Sequence, residues 1–213
     1  MKIAILTSPQ QWFIPYAKEI QKKITESQLF FNHEEIKKSF DIVFILSYHK
    51  LIPLEQLNNN KHNIVIHASD LPSGKGWAPM FWQILEGKEN IIFSMFEISD
   101  GVDNGDIYMK KELSLTGYEL NNELRMKQAN FIIDMCLDFY DHYDTYKFPI
   151  AQKGRESFYK KRTAQDSLLN IHKTINEQFN LLRIVDNENY PAYFYKNNKK
   201  YILKIEEADD ENK

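Results

Sequence analysis

Asn63-Ile64-Val65-Ile66-His67-Ala68-Ser69-Asp70-Leu71-Pro72-Ser73-Gly74-Lys75-Gly76-Trp77-Ala78-Pro79 opens the stretch that decides the fold, and Gly101-Val102-Asp103-Asn104-Gly105-Asp106 closes it. The apolar, β-branched run Ile64 to Ile66 predicts a strand that delivers His67 to its end. A loop punctuated by Pro72, Gly74 and Gly76 follows, and Pro79 opens a helix predicted through Glu86. A second strand, predicted over Asn90 to Ile98, leads into a polar loop holding Asp100, Asp103 and Asp106. A histidine and a carboxylate at the ends of two strands of one sheet are suited to proton transfer.

Upstream, Lys2 to Thr7 and Asp41 to Ser47 read as strands, the second a continuous apolar run of the kind covered on both faces. Phe13 to Thr25 is predicted helical, Phe30-Phe31 a short strand, and His33 to Lys38 a short helix. Pro53 starts another helical turn. Downstream, Ile107 to Leu113 reads as a strand and Glu119 to Tyr143 as the longest helix, its buried side including Leu120, Leu124, Met126, Ile132 and Phe139. This alternation predicts an α/β fold, Rossmann-like, with a mostly parallel sheet flanked by helices. Pro149 and Gly154 mark a boundary, giving a domain over residues 1–150 and a small C-terminal α+β extension over 151–213. The extension holds a helix predicted over Thr174 to Ile184 and a hairpin turning at Asn197-Asn198.

The 213 residues have room for one substantial domain, and 43% hydrophobic with 27% charged residues is an ordinary globular composition. No apolar run has the length of a membrane span, and the start reads as a buried strand, too short for a signal peptide. Cys136 is the single cysteine, so no internal disulfide or thiolate cluster for a metal is expected, and a cytoplasmic location is. Net charge is −3 and the segment Glu206 to Glu211 is acidic, which argues against a nucleic-acid partner.

With these residues laid out, the chain resembles the folate-dependent formyltransferase superfamily, which includes methionyl-tRNA formyltransferase, glycinamide ribonucleotide transformylase and the sugar-nucleotide N-formyltransferases. The family pattern is Asn-x-His-x-Ser-x-Leu-Pro, a Gly-containing loop and Pro, then Asp-x-Gly-Asp. His67-Ala68-Ser69-Asp70-Leu71-Pro72 matches from the histidine onward, and Asp103-Asn104-Gly105-Asp106 arrives 36 residues after His67. Ser47-Tyr48-His49-Lys50-Leu51-Ile52-Pro53 resembles the wall of the family's pterin pocket, and Lys161-Arg162-Thr163 with Asp166-Ser167 resembles its C-terminal region. Ser73-Gly74-Lys75-Gly76-Trp77-Ala78-Pro79 is most similar to the branch acting on amino sugars of the pseudaminic-acid type.

The resemblance implies transfer of a formyl group from 10-formyltetrahydrofolate, without a metal, to the amine of a nucleotide-linked 4-amino-4,6-dideoxy sugar. It makes His67 and Asp103 catalytic, since imidazole exchanges protons readily near neutral pH and a carboxylate can hold its charged form. On its own a histidine at a strand end is more often structural; the Ser-x-Leu-Pro motif and Asp103 turn the reading. Tyr48, His49, Leu51, Ile52, Asp100, Gly101 and Val102 are expected at the folate, and Ser69, Lys75, Gly76, Trp77, Gln11 and Trp12 at the acceptor. A solvated loop is the plain alternative for Lys75, and packing for Trp77. His33, His62, His142 and His172 are expected at the surface.

One position departs from the pattern. The family's asparagine, two residues before the histidine, is Val65 here, so the amide that donates to the oxyanion is missing. Asn63 lies about 13 Å from His67 along an unbent strand, too far to replace it; Asn104 and backbone N–H groups of the Ser73 to Gly76 loop are the candidates. Methionyl-tRNA and glycinamide ribonucleotide remain rival acceptors, the first disfavoured by the short region after residue 155, the second by the missing phosphate loop. A non-catalytic binding protein is the rival that Val65 keeps open. The sequence leaves oligomeric state open between a monomer and a homodimer, for which the C-terminal hairpin offers an edge to pair across a two-fold axis.

Overall fold

Two short apolar runs form the centre of the molecule. In the computed structural model, which describes residues 1–208, β1 (Ile3–Leu6) and β3 (Ile42–Ile45) are buried at every position. Between them come α1 (Ile14–Lys23) and β2 (Gln28–Phe30), and after them α2 (Leu54–Leu57) and β4 (His62–His67). Two residues, Lys75–Gly76, make β5, followed by α3 (Pro79–Leu85), β6 (Asn90–Glu97) and β7 (Ile107–Ser114). The chain continues through α4 (Asn121–Asp141), α5 (Tyr143–Tyr146), β8 (Phe158–Tyr159), α6 (Phe179–Ile184), β9 (Ala192–Lys196) and β10 (Lys199–Leu203).

Six strands form one sheet in the order β2-β1-β3-β4-β6-β7. The first four run parallel; β6 and β7 are antiparallel additions. Alternating side chains of β1 and β3 serve two cores. Ile3, Ile5, Ile42 and Phe44 pack with α1, α3 and α4, while Ala4, Leu6, Val43 and Ile45 pack with Phe40 and Leu57 on the other face. The strand order reverses direction between β1 and β3, and the loops leaving those strands flank the crevice where such folds bind ligands.

The antiparallel setting of β6 alters one expectation. Ile64 pairs with Glu97 and His67 with Ser94, so the end of β6 lies beside the start of β4, away from His67. Asp103 therefore reaches His67 on a loop that folds back along the sheet, not at a neighbouring strand end.

Several element limits also differ. The expected Phe30-Phe31 strand is Gln28–Phe30, and the helix expected from His33 shortens to a single 3-10 turn, His33–Glu35. In α4 the Glu123 carboxylate accepts the Leu120 N–H at 3.0 Å and closes the first turn, but Met126, expected inside, is 47% exposed. The predicted Thr174 helix resolves into a 3-10 turn, Asn176–Gln178, and α6. His62, expected at the surface, is buried, with its ring nitrogens 2.8 Å from Tyr108 Oη and 2.9 Å from Tyr143 Oη. Burial holds its pKa below the ordinary histidine value.

The C-terminal residues join the body in two places. Ile150 bridges to Ile107 at the end of the expected first domain, and β8, beyond residue 150, pairs with β5. Further on, Leu169, Leu182, Val185 and Ala192 make a small core of their own. Arg183, 2% exposed, anchors it by donating to Glu119 Oε2 at 2.8 Å and to the Glu119 carbonyl at 3.0 Å. The hairpin turns at Asn197 and Asn198, both with positive φ as its two-residue turn requires. Of the acidic segment expected to Glu211, Asp209, Asp210 and Glu211 lie outside the described residues. No helix among the described residues is long and apolar enough to cross a membrane.

Candidate active site

His67 closes β4 with its imidazole almost enclosed. Its Nε2 lies 2.9 Å from the Gly74 carbonyl, an oxygen that can only accept, so Nε2 carries the proton. Nδ1 is left with a lone pair and no partner among the described residues. Asp103 Oδ2 stands 3.6 Å from the same Nε2, with the two side chains 11% and 16% exposed. The Gly74 carbonyl thus orients the ring, while the Asp103 carboxylate supplies a nearby negative charge.

Asp103 is held by backbone. The Gly76 N–H donates to its Oδ2 at 2.9 Å, and Gln152 Nε2 donates to the carbonyls of Asp103 and Gly105 at 2.8 Å each. Its own φ of 51° is left-handed, an uncommon setting for a residue with a side chain. Gly105 makes the return of this loop feasible, because a Cβ there would meet the Glu97 carbonyl oxygen at 1.5 Å. At Gly76, with φ +98°, a Cβ would lie 2.4 Å from the Tyr159 carbonyl oxygen, so β5 and β8 approach only through a glycine.

Lys75 does not lie in solvent. It is 1% exposed, and its ammonium donates to Glu156 Oε1 at 2.5 Å and to Asn104 Oδ1. That ion pair ties the 73–77 loop, the 100–106 loop and the residues before β8 together. It also fixes the Asn104 amide: because an ammonium can only donate, Oδ1 faces Lys75, and Nδ2 donates to the Asp100 carbonyl at 3.2 Å with one N–H remaining.

The other residues expected at the acceptor lie around the crevice loops and the main core. Ser69 is 1% exposed with its Oγ buried and unpaired, and Gln11 braces the two loops at the crevice. Gln11 Nε2 donates to the Ser47 carbonyl at 2.9 Å, and Ser47 Oγ returns a bond to Gln11 Oε1 at 2.7 Å. Trp12 packs on the main core, whereas Trp77 is 45% exposed and stacks on His49 with ring centroids 6.3 Å apart.

Among the residues expected at the folate, Tyr48 Oη turns to His33 Nδ1 at 2.6 Å, and Ile52 packs with Ile98 and Val65 against the second core. Leu51 and Val102 are 94% and 56% exposed, and Asp100 and Gly101 are exposed in the same loop as Val102. Val65, in the position of the missing asparagine, lies against Leu71, Phe96 and Ile107, an apolar setting. Asn63 is occupied elsewhere, donating to the Leu57 carbonyl at 3.1 Å. A separate cavity of about 200 Å³, lined by Asp70, Ser73, Lys88 and Tyr159 among others, contains neither His67 nor Asp103.

The Gly74 carbonyl, Gln152, Glu156 and Ser157, whose Oγ accepts the Gly74 N–H at 2.8 Å, were not read as site residues. No pattern marks them: a backbone carbonyl has no side-chain signature, and the other three lie some fifty or more residues from the loops they hold.

Comparison with known proteins shows the family. The formyl transferase family model matches residues 8–133. A methionyl-tRNA formyltransferase of Thermosipho melanesiensis is 32% identical over 146 residues, covering 68% of this chain and 47% of that protein. The chain spans about half the length of the curated relatives it matches. Among solved structures, a methionyl-tRNA formyltransferase from Clostridium thermocellum superposes with TM-score 0.81 at 19% identity, covering 100% of this chain and 96% of that one. A 4-N formyltransferase from Francisella tularensis gives TM-score 0.71 at 18% identity, covering 96% and 97%. With a family match over more than half of its length, this chain belongs to the formyl transferase family.

Proposed function

We propose that this site transfers the formyl group of 10-formyltetrahydrofolate to the amine of a nucleotide-linked 4-amino-4,6-dideoxy sugar. The observation that carries the reading is the His67 ring, held through Nε2–H by Gly74 with Asp103 3.6 Å away and Nδ1 open. In this geometry His67 Nδ1 accepts the proton that the attacking amine must lose and returns it to the departing folate nitrogen. Asp103 stabilises the imidazolium between those two transfers. The remaining Asn104 Nδ2–H is the oxyanion donor, in place of the amide absent at Val65.

Folate fits the apolar surface offered by Leu51 and Val102, side chains that the protein itself leaves uncovered. For the acceptor, the Gly74-Lys75-Gly76-Trp77 loop and the Francisella tularensis 4-N formyltransferase likeness support an amino sugar. The sequence relatives favour a second reading, with methionyl-tRNA as the acceptor. Ligand-dependent melting separates the two. A folate analogue, UDP, dTDP, CMP, an unrelated ribonucleotide and methionyl-tRNA are tested in turn, since a ligand that binds the native state raises the midpoint by mass action. Stabilisation by the folate analogue and one pyrimidine diphosphate is expected. Stabilisation by methionyl-tRNA with none from the diphosphates overturns the sugar-nucleotide reading.

A further inference from the structure

Two arginines near the crevice, Arg125 and Arg162, form no ion pair with a carboxylate among the described residues. Arg125, in the first turns of α4, lays its guanidinium 4.6 Å from the Trp12 ring centroid and 4.4 Å from that of Phe81. It makes no ion pair among the described residues, and its one side-chain hydrogen bond, to Gln128 Oε1, is 3.4 Å long. Among the described residues the buried Nε–H of Arg162 has no partner, and its Nη2 reaches only the Asp166 carbonyl, at 3.5 Å. The acids nearby are engaged elsewhere. Asp166 binds Lys160 and both polar groups of Thr163, and Asp186 caps Glu188 and Asn189.

A third cation extends the group toward the reaction centre. Lys161 Nζ sits 4.8 Å from the Trp77 ring centroid, and Trp77 stacks on His49. Trp77 directly follows Gly76, whose N–H holds Asp103. His49 is held below its ordinary pKa, first by partial burial and then by Lys161 and Arg125. Burial brings Arg125 down to about 10, with Arg162 adding to the effect against the opposing pull of Asp186. Like charges gathered against aromatic faces repel one another, and an anion between them relieves that repulsion.

We propose that Arg125, Arg162 and Lys161 form an anion subsite that takes the diphosphate of the acceptor, with Trp77 and His49 as a flat platform beside it. The assignment rests on the sugar-nucleotide reading above. The carboxylates of a folate tail share the anionic chemistry, and the test distinguishes the two sources.

Binding of inorganic pyrophosphate to the whole chain is measured by calorimetry, alongside binding of a folate analogue. Arg125→Gln and Arg162→Gln each weaken pyrophosphate at least tenfold and leave the folate analogue unchanged. Lys161→Gln, at an exposed position where folding is not at stake, weakens it several-fold and flattens its salt dependence. Arg155→Gln, at an exposed arginine outside the group, changes nothing. Absence of pyrophosphate binding to wild type, or wild-type affinity in all three cluster variants, overturns the subsite. Equal losses for pyrophosphate and the folate analogue also overturn it, assigning the cations to the folate tail. Pyrophosphate binding that the variants lose supports the subsite even if no amino-sugar nucleotide is formylated, a result that rejects the acceptor and leaves the anion site standing.

Discussion

The Gly76 N–H and the Asp103 carboxylate meet at 2.9 Å, and the same carboxylate oxygen lies 3.6 Å from His67 Nε2. A backbone donor on the loop after β4 therefore sets the position of an acid that the sequence places 27 residues later. The proposed proton-transfer pair depends on the docking of two loops, and what fixes that docking is as important as the pair itself.

Lys75 is the strongest tie between those loops, so Lys75→Met should lower both stability and rate. Loss of hydrogen bonds from a buried ammonium is expected to cost about 1–3 kcal/mol, read as a lower unfolding midpoint. The kcat should fall about tenfold, as expected for a small misplacement of reacting groups, with little change in the KM for folate. Glu156→Gln combined with Lys75→Met should cost less than the sum of the two changes, because both act on one ion pair. Additive losses would show that the pair does not hold the loops.

Asn104→Ala tests the oxyanion donor. Removal of such a donor lowers kcat about 100- to 1000-fold while KM stays close to wild type. Val65→Asn restores the family's residue type but inserts an amide among Leu71, Phe96 and Ile107. It should destabilise the protein without raising kcat. A kcat above wild type in steady-state assays would mean that the donor position at residue 65 is functionally vacant.

The buried Glu119 carboxylate, which also receives Arg183 of α6, gives the fold a pH dependence. Burial pushes the Glu119 carboxyl up, but hydrogen bonds from Lys127 and Thr116 outweigh it and hold the pKa at about 2. A carboxylate whose folded pKa is depressed contributes stability above its unfolded value, near 4.5, and loses that contribution as pH falls toward 2. Urea unfolding should therefore show stability declining over that window. Glu119→Gln should remove much of the slope and, by leaving buried Arg183 unpaired, cost about 3–5 kcal/mol at neutral pH. An unchanged slope in the variant would assign the acid sensitivity to other carboxylates.

Much of the framework is legible in the sequence because it follows from local patterns. The apolar runs around Ile5 and Phe44 become the buried centre of the sheet, Pro79 opens α3, and Asn197-Asn198 turns the hairpin. His67 and Asp103 can be named from motif and spacing, and the structure brings them together. What the sequence does not disclose is set by long-range contact. The antiparallel direction of β6 depends on its pairing with β4. The two-residue strands β5 and β8 are too short to carry a periodic pattern, and the burial of Lys75 and His62 depends on partners as distant as Glu156 and Tyr143.

The most direct measurement is release of tetrahydrofolate from 10-formyltetrahydrofolate in the presence of a nucleotide-linked 4-amino-4,6-dideoxy sugar, by wild type, His67→Ala and Asp103→Ala. Wild type should turn over, and each variant should be slower by about 100-fold or more while melting as a folded protein. Near-wild-type turnover by either folded variant would contradict the role given to that residue, and with it the reading of the His67–Asp103 pair as the centre of the reaction.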